Sequence, residues 1–189
     1  MPTMSFETDR ARLRALEKSD AAALQAYLNE PSMIGCRCIP WEMRDVAPLS
    51  MEETERLIDS FAKEKKSITL GIALRETGRL VGHVGWHWGW DTHCPSAWVV
   101  VAPGHRRRGI GSEVLEHLLG HLFLDTPAHN VNGWIGSWNG AGLAFAAALG
   151  FTETGRVPRG GIRGGAYYDD VMVDMLKPEW LGRGGGRGA

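Results

Sequence analysis

The residues best suited to chemistry lie in one continuous stretch, Val99-Val100-Val101-Ala102-Pro103-Gly104-His105-Arg106-Arg107-Arg108-Gly109-Ile110-Gly111-Ser112-Glu113. An apolar, strand-like run stops at a proline, and a basic turn containing glycine opens into an amphipathic helix. Such a turn offers backbone N–H groups and the positive end of a helix dipole to an anion. Gly109 and Gly111 lack a Cβ, so a diphosphate can approach the main chain. Arg106, Arg107 and Arg108 add charge-assisted donors. Two other phosphate motifs are excluded. A P-loop needs Gly-Lys-Ser/Thr, whereas Gly111 precedes Ser112-Glu113. The dinucleotide fingerprint needs a third glycine where Val114 stands. The plainer alternative is a surface turn with solvated arginines.

The elements that must position this stretch follow from periodicity. Arg12 to Arg14 alternates as a half-exposed strand. Ser19 or Asp20 caps a helix through Asn29, which Pro31 ends. Residues 32–48 are irregular, and a loop of that length is usually functional or mobile. Ser50 and Glu53 fit a capping box ahead of an apolar stripe of Leu57, Ile58 and Phe61. Strands are expected over Ile68–Leu74 and Leu80–Trp90, joined by the turn Glu76-Thr77-Gly78-Arg79. The second places Leu80, Val84, Trp86, Trp88 and Trp90 on one face and His83 and His87 on the other. A third strand covers Ala97–Val101. A helix from Gly109 to Phe123 carries Ile110, Val114, Leu115, Leu118, Leu119 and Leu122 on one side. Val131–Ser137 is again a strand. Asn139 caps a helix to Leu149, with Gly150 as its left-handed C′ residue. Strands near Glu153–Val157 and Tyr167–Leu176 close the chain.

This order predicts an α/β (α+β) fold with a mixed, mostly antiparallel central sheet of about seven strands, flanked by about four helices. Residues 1–180 read as a single domain, and the glycine-rich 181–189 as a disordered tail. The chain has 189 residues, 43% of them hydrophobic, which suits one core. A formal net charge of −1, with a single short basic cluster, gives no reason to expect a nucleic-acid or membrane surface. Charges in MPTMSFETDRARLRAL stand where a signal peptide needs apolar residues, so a cytoplasmic protein is expected. Cys36, Cys38 and Cys94 make no disulfide framework. Cys36-x-Cys38 with His93 and Cys94 lacks the spacing of a zinc knuckle or ribbon, and the expectation is three reduced thiols and no metal. A homodimer is left open.

Several of these motifs, in order, resemble the GNAT superfamily of N-acetyltransferases. Arg106-x-x-Gly109-x-Gly111 matches its R/Q-x-x-G-x-G/A signature. Gly82-His83-Val84-Gly85-Trp86 looks like its G-x-h-G strand, and Asn139 with Leu149-Gly150-Phe151 like its N-x(10)-G-F motif. Arg159 with Asp169-Asp170-Val171-Met172-Val173-Asp174-Met175 looks like its closing hairpin. The similarity covers residues 9 to 177 and is nearest the branch of ribosomal-protein N-terminal acetyltransferases. It implies a GNAT-like fold with acetyl-CoA as acyl donor. The main chain of Val99, Val100 and Val101 would pair with the pantetheine arm. Amides from Arg106 through Arg107, Arg108, Gly109, Ile110 and Gly111 to Ser112 would hold the pyrophosphate, and Asn139 and Phe145 would line the thiol end.

The implied reaction is direct attack by a primary amine in a ternary complex. The acceptor would be a small molecule or, alternatively, a peptide or protein N-terminus; a non-catalytic acyl-CoA-binding module is the third reading. An ammonium must lose a proton before it can attack. His83, His87 and Asp91 are candidate bases, each with a structural alternative. A backbone N–H near Val99 could serve the developing oxyanion. Many relatives place an acidic tyrosine where this chain has Ala146, or a serine where it has Gly142. Tyr168, with Tyr167 beside it, is the substitute candidate, the alternative being strand packing. Glu42 and Asp45 could bind a cationic acceptor or simply be solvated. Trp41, Trp86, Trp88, Trp90 and Trp98 could wall an acceptor pocket or pack the core.

Overall fold

The structure is a computed structural model that describes residues 6–39, 47–89 and 91–184. Its contacts divide the chain into two compact units, Met1–His87 with Trp98–His117, and Trp88–Ala97 with Leu118–Ala189. Seven strands run in the order β1-β2-β3-β4-β5-β7-β6. The result is the expected mixed, mostly antiparallel sheet.

The first unit holds β1 (Ala11–Arg14), α1 (Ala21–Leu28), α2 (Met51–Lys63), β2 (Ser67–Leu74), β3 (Leu80–His87), most of β4 (Ser96–Val101) and the start of α3 (Ile110–Asp125). β1 pairs antiparallel with β2, and β2 with β3 through Ser67↔His87. The capping box forms as read: Ser50 N–H donates to Glu53 at 2.7 Å and Glu53 N–H to Ser50 Oγ at 3.2 Å. Leu24, Leu28, Leu57, Ile58, Leu80 and Val100 pack into one core. β3 differs from expectation. It ends at His87 rather than at 90, and every residue from Leu80 to Trp86 is buried. β2 and β4 take up its edges, and with both faces buried as well the strand does not alternate between apolar and polar.

The second unit holds β5 (Asn130–Gly136), α4 (Gly140–Ala148), β6 (Thr152–Arg163), β7 (Ala166–Leu176), α5 (Lys177–Gly182) and the end of α3. β4 pairs parallel with β5 at Ser96↔Asn132, and β7 is antiparallel to both β5 and β6. α4 ends as predicted: Gly150 is left-handed at φ 82°, and Phe151 N–H reaches back to Ala146 O at 3.0 Å. β6 runs well past Val157, where its strand was expected to stop. Pro158-Arg159-Gly160-Gly161 reads as a loop, but at a sheet edge these residues form a bulge between Val157 and Gly161, with Arg159 at φ 54°. The hairpin turns at Gly164 and Gly165, both with positive φ, the conformation a two-residue turn of this hand demands.

Among the described residues α5 is a fifth α-helix, where the sequence leads one to expect about four. Pro178 sits in its first turn, Glu179 accepts from Leu176 N–H at 3.0 Å, and Trp180 is buried against Phe123 with ring centres 5.6 Å apart. α5 includes Leu181 and Gly182 from the segment read as a tail; residues 185–189 lie outside the described residues. Among the described residues no helix is long and apolar enough to cross a membrane.

Candidate functional site

The basic turn belongs to the first unit. β4 stops at Val101, and Pro103–His105 form a single 3-10 turn closed by His105 N–H to Ala102 O at 2.8 Å. Arg107 (φ 58°) and Gly109 (φ 81°) are both left-handed, so the main chain curls before α3 begins. The bond from Glu113 N–H to Gly109 O, at 3.0 Å, opens the ladder of α3. The amides of Ile110, Gly111 and Ser112 therefore stand ahead of that ladder at the positive end of the helix. A Cβ on Gly109 would meet nothing nearer than an Arg10 guanidinium nitrogen at 3.7 Å, so conformation rather than space calls for glycine there.

The side chains around the turn divide their work. Arg106, Arg107 and Arg108 are all exposed. Arg106 also bonds back to the fold: its Nε donates to Val101 O at 2.9 Å and its Nη2 lies 2.7 Å from Met33 Sδ. Glu113, the acid in the first turn of α3, is ion-paired with the Arg10 guanidinium and also takes the Arg10 N–H at 2.7 Å. Its negative charge is thereby offset beside the turn. The His105 pKa is lowered from its ordinary value, first by burial and then by Arg108 and Arg79.

The two β3 histidines share a face but not an environment. His83 is fully buried, with Nδ1 2.8 Å from Tyr27 Oη. Burial pushes the Tyr27 hydroxyl well above its usual range, so the phenol keeps its proton. Tyr27 stacks on the ring and Phe61 covers it. Desolvation lowers the His83 pKa to about 4, against the opposing pull of the Arg37 and Cys38 main chain. His87 is only half-buried and has Nδ1 2.7 Å from Ser67 Oγ on the paired strand. Trp98 packs over Gly85, where a Cβ would come within 2.5 Å of the indole. Trp86 is buried. Trp41, Glu42, Asp45 and Trp90 lie outside the described residues.

In the second unit, Asn139 caps α4 through Oδ1, which accepts from Gly142 N–H at 3.0 Å. A Cβ on Gly142 would fall 2.6 Å from the Asn139 amide nitrogen, so a serine does not fit beside this cap without moving it. Ala146 is buried and Phe145 half-buried. Tyr168 meets Trp138 edge-on at 6.3 Å and packs against Gly161, its partner on β6. Tyr167 is exposed. Trp88 is half-buried in this unit. Asp91 takes the His93 N–H at 2.7 Å, and this bond, the largest cause, holds its carboxyl below the ordinary range. Sequence reasoning missed Arg10, Tyr27 and Met33 as partners of site residues; each lies more than fifty positions from its partner, beyond any local pattern.

The sequence matches the acetyltransferase (GNAT) domain family over residues 10–152. It is 27% identical over 177 residues to the uncharacterized N-acetyltransferase YoaA of Bacillus subtilis (strain 168), covering 92% of this chain and 97% of that protein. The fold is similar to a putative ribosomal-protein-serine acetyltransferase from Vibrio cholerae, with TM-score 0.75, 18% identity, and 93% and 99% of the two chains covered. It is also similar to the spermidine N-acetyltransferase of Vibrio cholerae in complex with CoA and spermine, with TM-score 0.75, 19% identity, and coverage of 90% and 98%. The family match runs from the edge of β1 to the start of β6 and takes in both β3 histidines and the whole turn ahead of α3. The chain belongs to the GNAT family of acetyl-CoA-dependent N-acetyltransferases.

Proposed function

We propose that this chain binds acetyl-CoA with the pyrophosphate over residues 106–112 and transfers the acetyl group to a primary amine by direct attack. The observation that carries the reading is the turn itself: two left-handed residues, three amides ahead of the α3 ladder, and an acid already paired with Arg10. The pantetheine arm runs along the main chain of Val99–Val101. The family resemblance, not the geometry, brings Asn139 and Phe145 to the thiol end in this proposal.

In the reaction the ammonium gives up one proton, the free amine's lone pair adds to the thioester carbonyl, the C–S bond breaks to release the CoA thiolate, and the nitrogen sheds its second proton, leaving the neutral amide, while the thiolate takes a proton from solvent. His87 is the better base. His83, at about 4, is poorly matched to an ammonium near ~10.4, and it is sealed from solvent. A thiolate is a far better leaving group than an amine's anion, so in this reading it departs without a dedicated acid. That accommodates Ala146 and Gly142 at the usual acid positions, with Tyr168 packed as a strand aromatic. Cys94 is an unsuitable covalent relay, because burial and the nearby Asp91 push its thiol pKa up. An odd, low count of three cysteines suits a reducing compartment such as the cytoplasm in this reading.

Titration calorimetry with acetyl-CoA tests the binding site. Gly109→Asp is expected to weaken binding by more than about tenfold, that is ~1.4 kcal/mol, and Gly109→Ala separates backbone strain from charge. A folded Gly109→Asp variant with unchanged affinity would overturn the reading. The acceptor class is decided by released thiol and product mass across a panel containing spermidine and a peptide with N-terminal serine. If no amine releases thiol, the chain is an acyl-CoA-binding module instead.

A further inference from the structure

Trp98 opens the apolar run of β4, and its indole nitrogen is the one polar side-chain atom in Trp98-Val99-Val100-Val101. That nitrogen is buried and has no hydrogen-bond partner among the described residues. An indole N–H is a donor only, at any pH. A buried donor without an acceptor opposes folding, and an acceptor arriving with a ligand would offset that cost.

The strands fix where this N–H lies. Ala102 N–H donates to Val81 O at 2.8 Å. The Trp98 indole covers Gly85, four residues further along β3 and four residues back along β4. The two strands therefore run in opposite directions. A Cβ on Gly85 would come within 2.5 Å of Trp98 Cζ2 and 2.9 Å of Cε2, the carbon bonded to Nε1, so the glycine makes room for the ring. The ring thus occupies the face that a side chain at 85 would take, which is the face of His83 and His87. His83 is sealed beneath Tyr27 and Phe61. His87, two residues beyond Gly85, is only half-buried.

Trp98 also marks a place on the proposed cofactor path. With the pyrophosphate over 106–112 and the pantetheine arm along Val101, Val100 and Val99, the arm runs towards the start of β4. Its acyl end comes level with Trp98, one residue past Val99. On that reading, on which this inference rests, the indole stands between the thioester and the base proposed above, His87.

We propose that the Trp98 indole N–H donates a hydrogen bond to the carbonyl oxygen of the bound acetyl thioester and is a catalytic residue beside the backbone N–H near Val99. No proton is transferred. The N–H stays intact while the oxygen takes the electron pair of the C=O π bond, and the hydrogen bond strengthens as that charge develops. Catalytic hydrogen bonds commonly tighten only once substrate is bound, and a half-buried ring can turn without moving its strand.

The test is difference infrared spectroscopy on the full chain with acetyl-CoA isotope-labelled at the thioester carbonyl carbon. Binding should lower the carbonyl stretch. Trp98→Phe, which keeps a ring and loses the N–H, should return most of that shift. It should also lower kcat by about a hundredfold with little change in the acetyl-CoA Kd. A second measurement needs no variant: the Trp98 indole N–H resonance of the native chain should move downfield with acetyl-CoA and not with CoA, which lacks the thioester oxygen. If Trp98→Phe fails to fold, this resonance decides. A native carbonyl stretch in Trp98→Phe, an unchanged kcat, or an indole resonance that answers CoA and acetyl-CoA equally would each overturn the proposal and leave the reading of the 106–112 turn intact. Failure of the native chain to bind acetyl-CoA at all would overturn both.

Discussion

The turn from Pro103 to Ser112 and the β3 face bearing His83 and His87 obtain their chemistry in different ways. In the turn, the proposed function rests on main-chain amides set by Arg107 and Gly109 in left-handed conformations, while the Arg106 side chain bonds back to the end of β4. On β3, the proposed function rests on side chains, and two identical residues four positions apart part company through burial and partners. Tyr27 and Phe61 cover His83, whereas His87, at the strand end, touches Ser67 and keeps partial access to water. A backbone site tolerates most exchanges that preserve φ and ψ, whereas a side-chain site changes its acidity with every packing neighbour.

The sharpest way to break this contrast is the pH dependence of stability. His83 has a folded pKa of about 4 against 6.5 for the free side chain. Below pH 6.5 the unfolded chain takes up a proton that the folded chain refuses. Stability is therefore complete above pH 6.5 and falls as pH drops towards 4. The loss from this ring is about 3 kcal/mol, following from 1.36 kcal/mol per unit. Urea midpoints across this range should show His83→Gln with a flatter profile than the native chain; equal slopes would mean that the ring is not sealed.

The next effect concerns the other histidine. His87→Gln should lower kcat/KM by about a hundredfold near neutral pH and recover towards the native rate as the amine sheds its proton unaided near pH ~10. A deficit that stays flat with pH, accompanied by a lower Tm, would make His87 structural. Gly109→Asp follows, with its loss of more than about tenfold in acetyl-CoA affinity and little effect on the His87 pH profile. The smallest effect is expected for Asn139→Ala. Removing the cap of α4 costs about 1 kcal/mol of stability, read from chemical denaturation. A simultaneous rise in the acetyl-CoA Kd would add cofactor contact to capping.

Local signals were legible wherever one segment settles its own structure. The Ser50–Glu53 box, the Asn139 cap, the left-handed Gly150 and the turn into α3 each depend on residues within a few positions of one another. Misreadings occurred where a distant partner decides. β3 reads as amphipathic until both of its faces are buried. β6 reads as ending at Pro158 until β7 carries the edge through a bulge. α5 follows so soon after Leu176 that Lys177-Pro178-Glu179-Trp180 looks like a chain end, although Pro178 and Glu179 are helix-start residues. The environment of His83 lies beyond local reading, because Tyr27 is 56 positions away.

The contacts of the Arg106 side chain bear on what the family signature tolerates. Its first position accepts arginine or glutamine, residues that differ by a full charge. A position whose task was to neutralise phosphate could not exchange them freely. Here the side chain donates to the carbonyl that ends β4, and reaches Met33 in the segment after α1. A glutamine amide can make the first of those contacts without any charge. In this chain the position splices the strand to the turn, and in the proposed site the electrostatic burden falls to Arg107, Arg108 and the main chain.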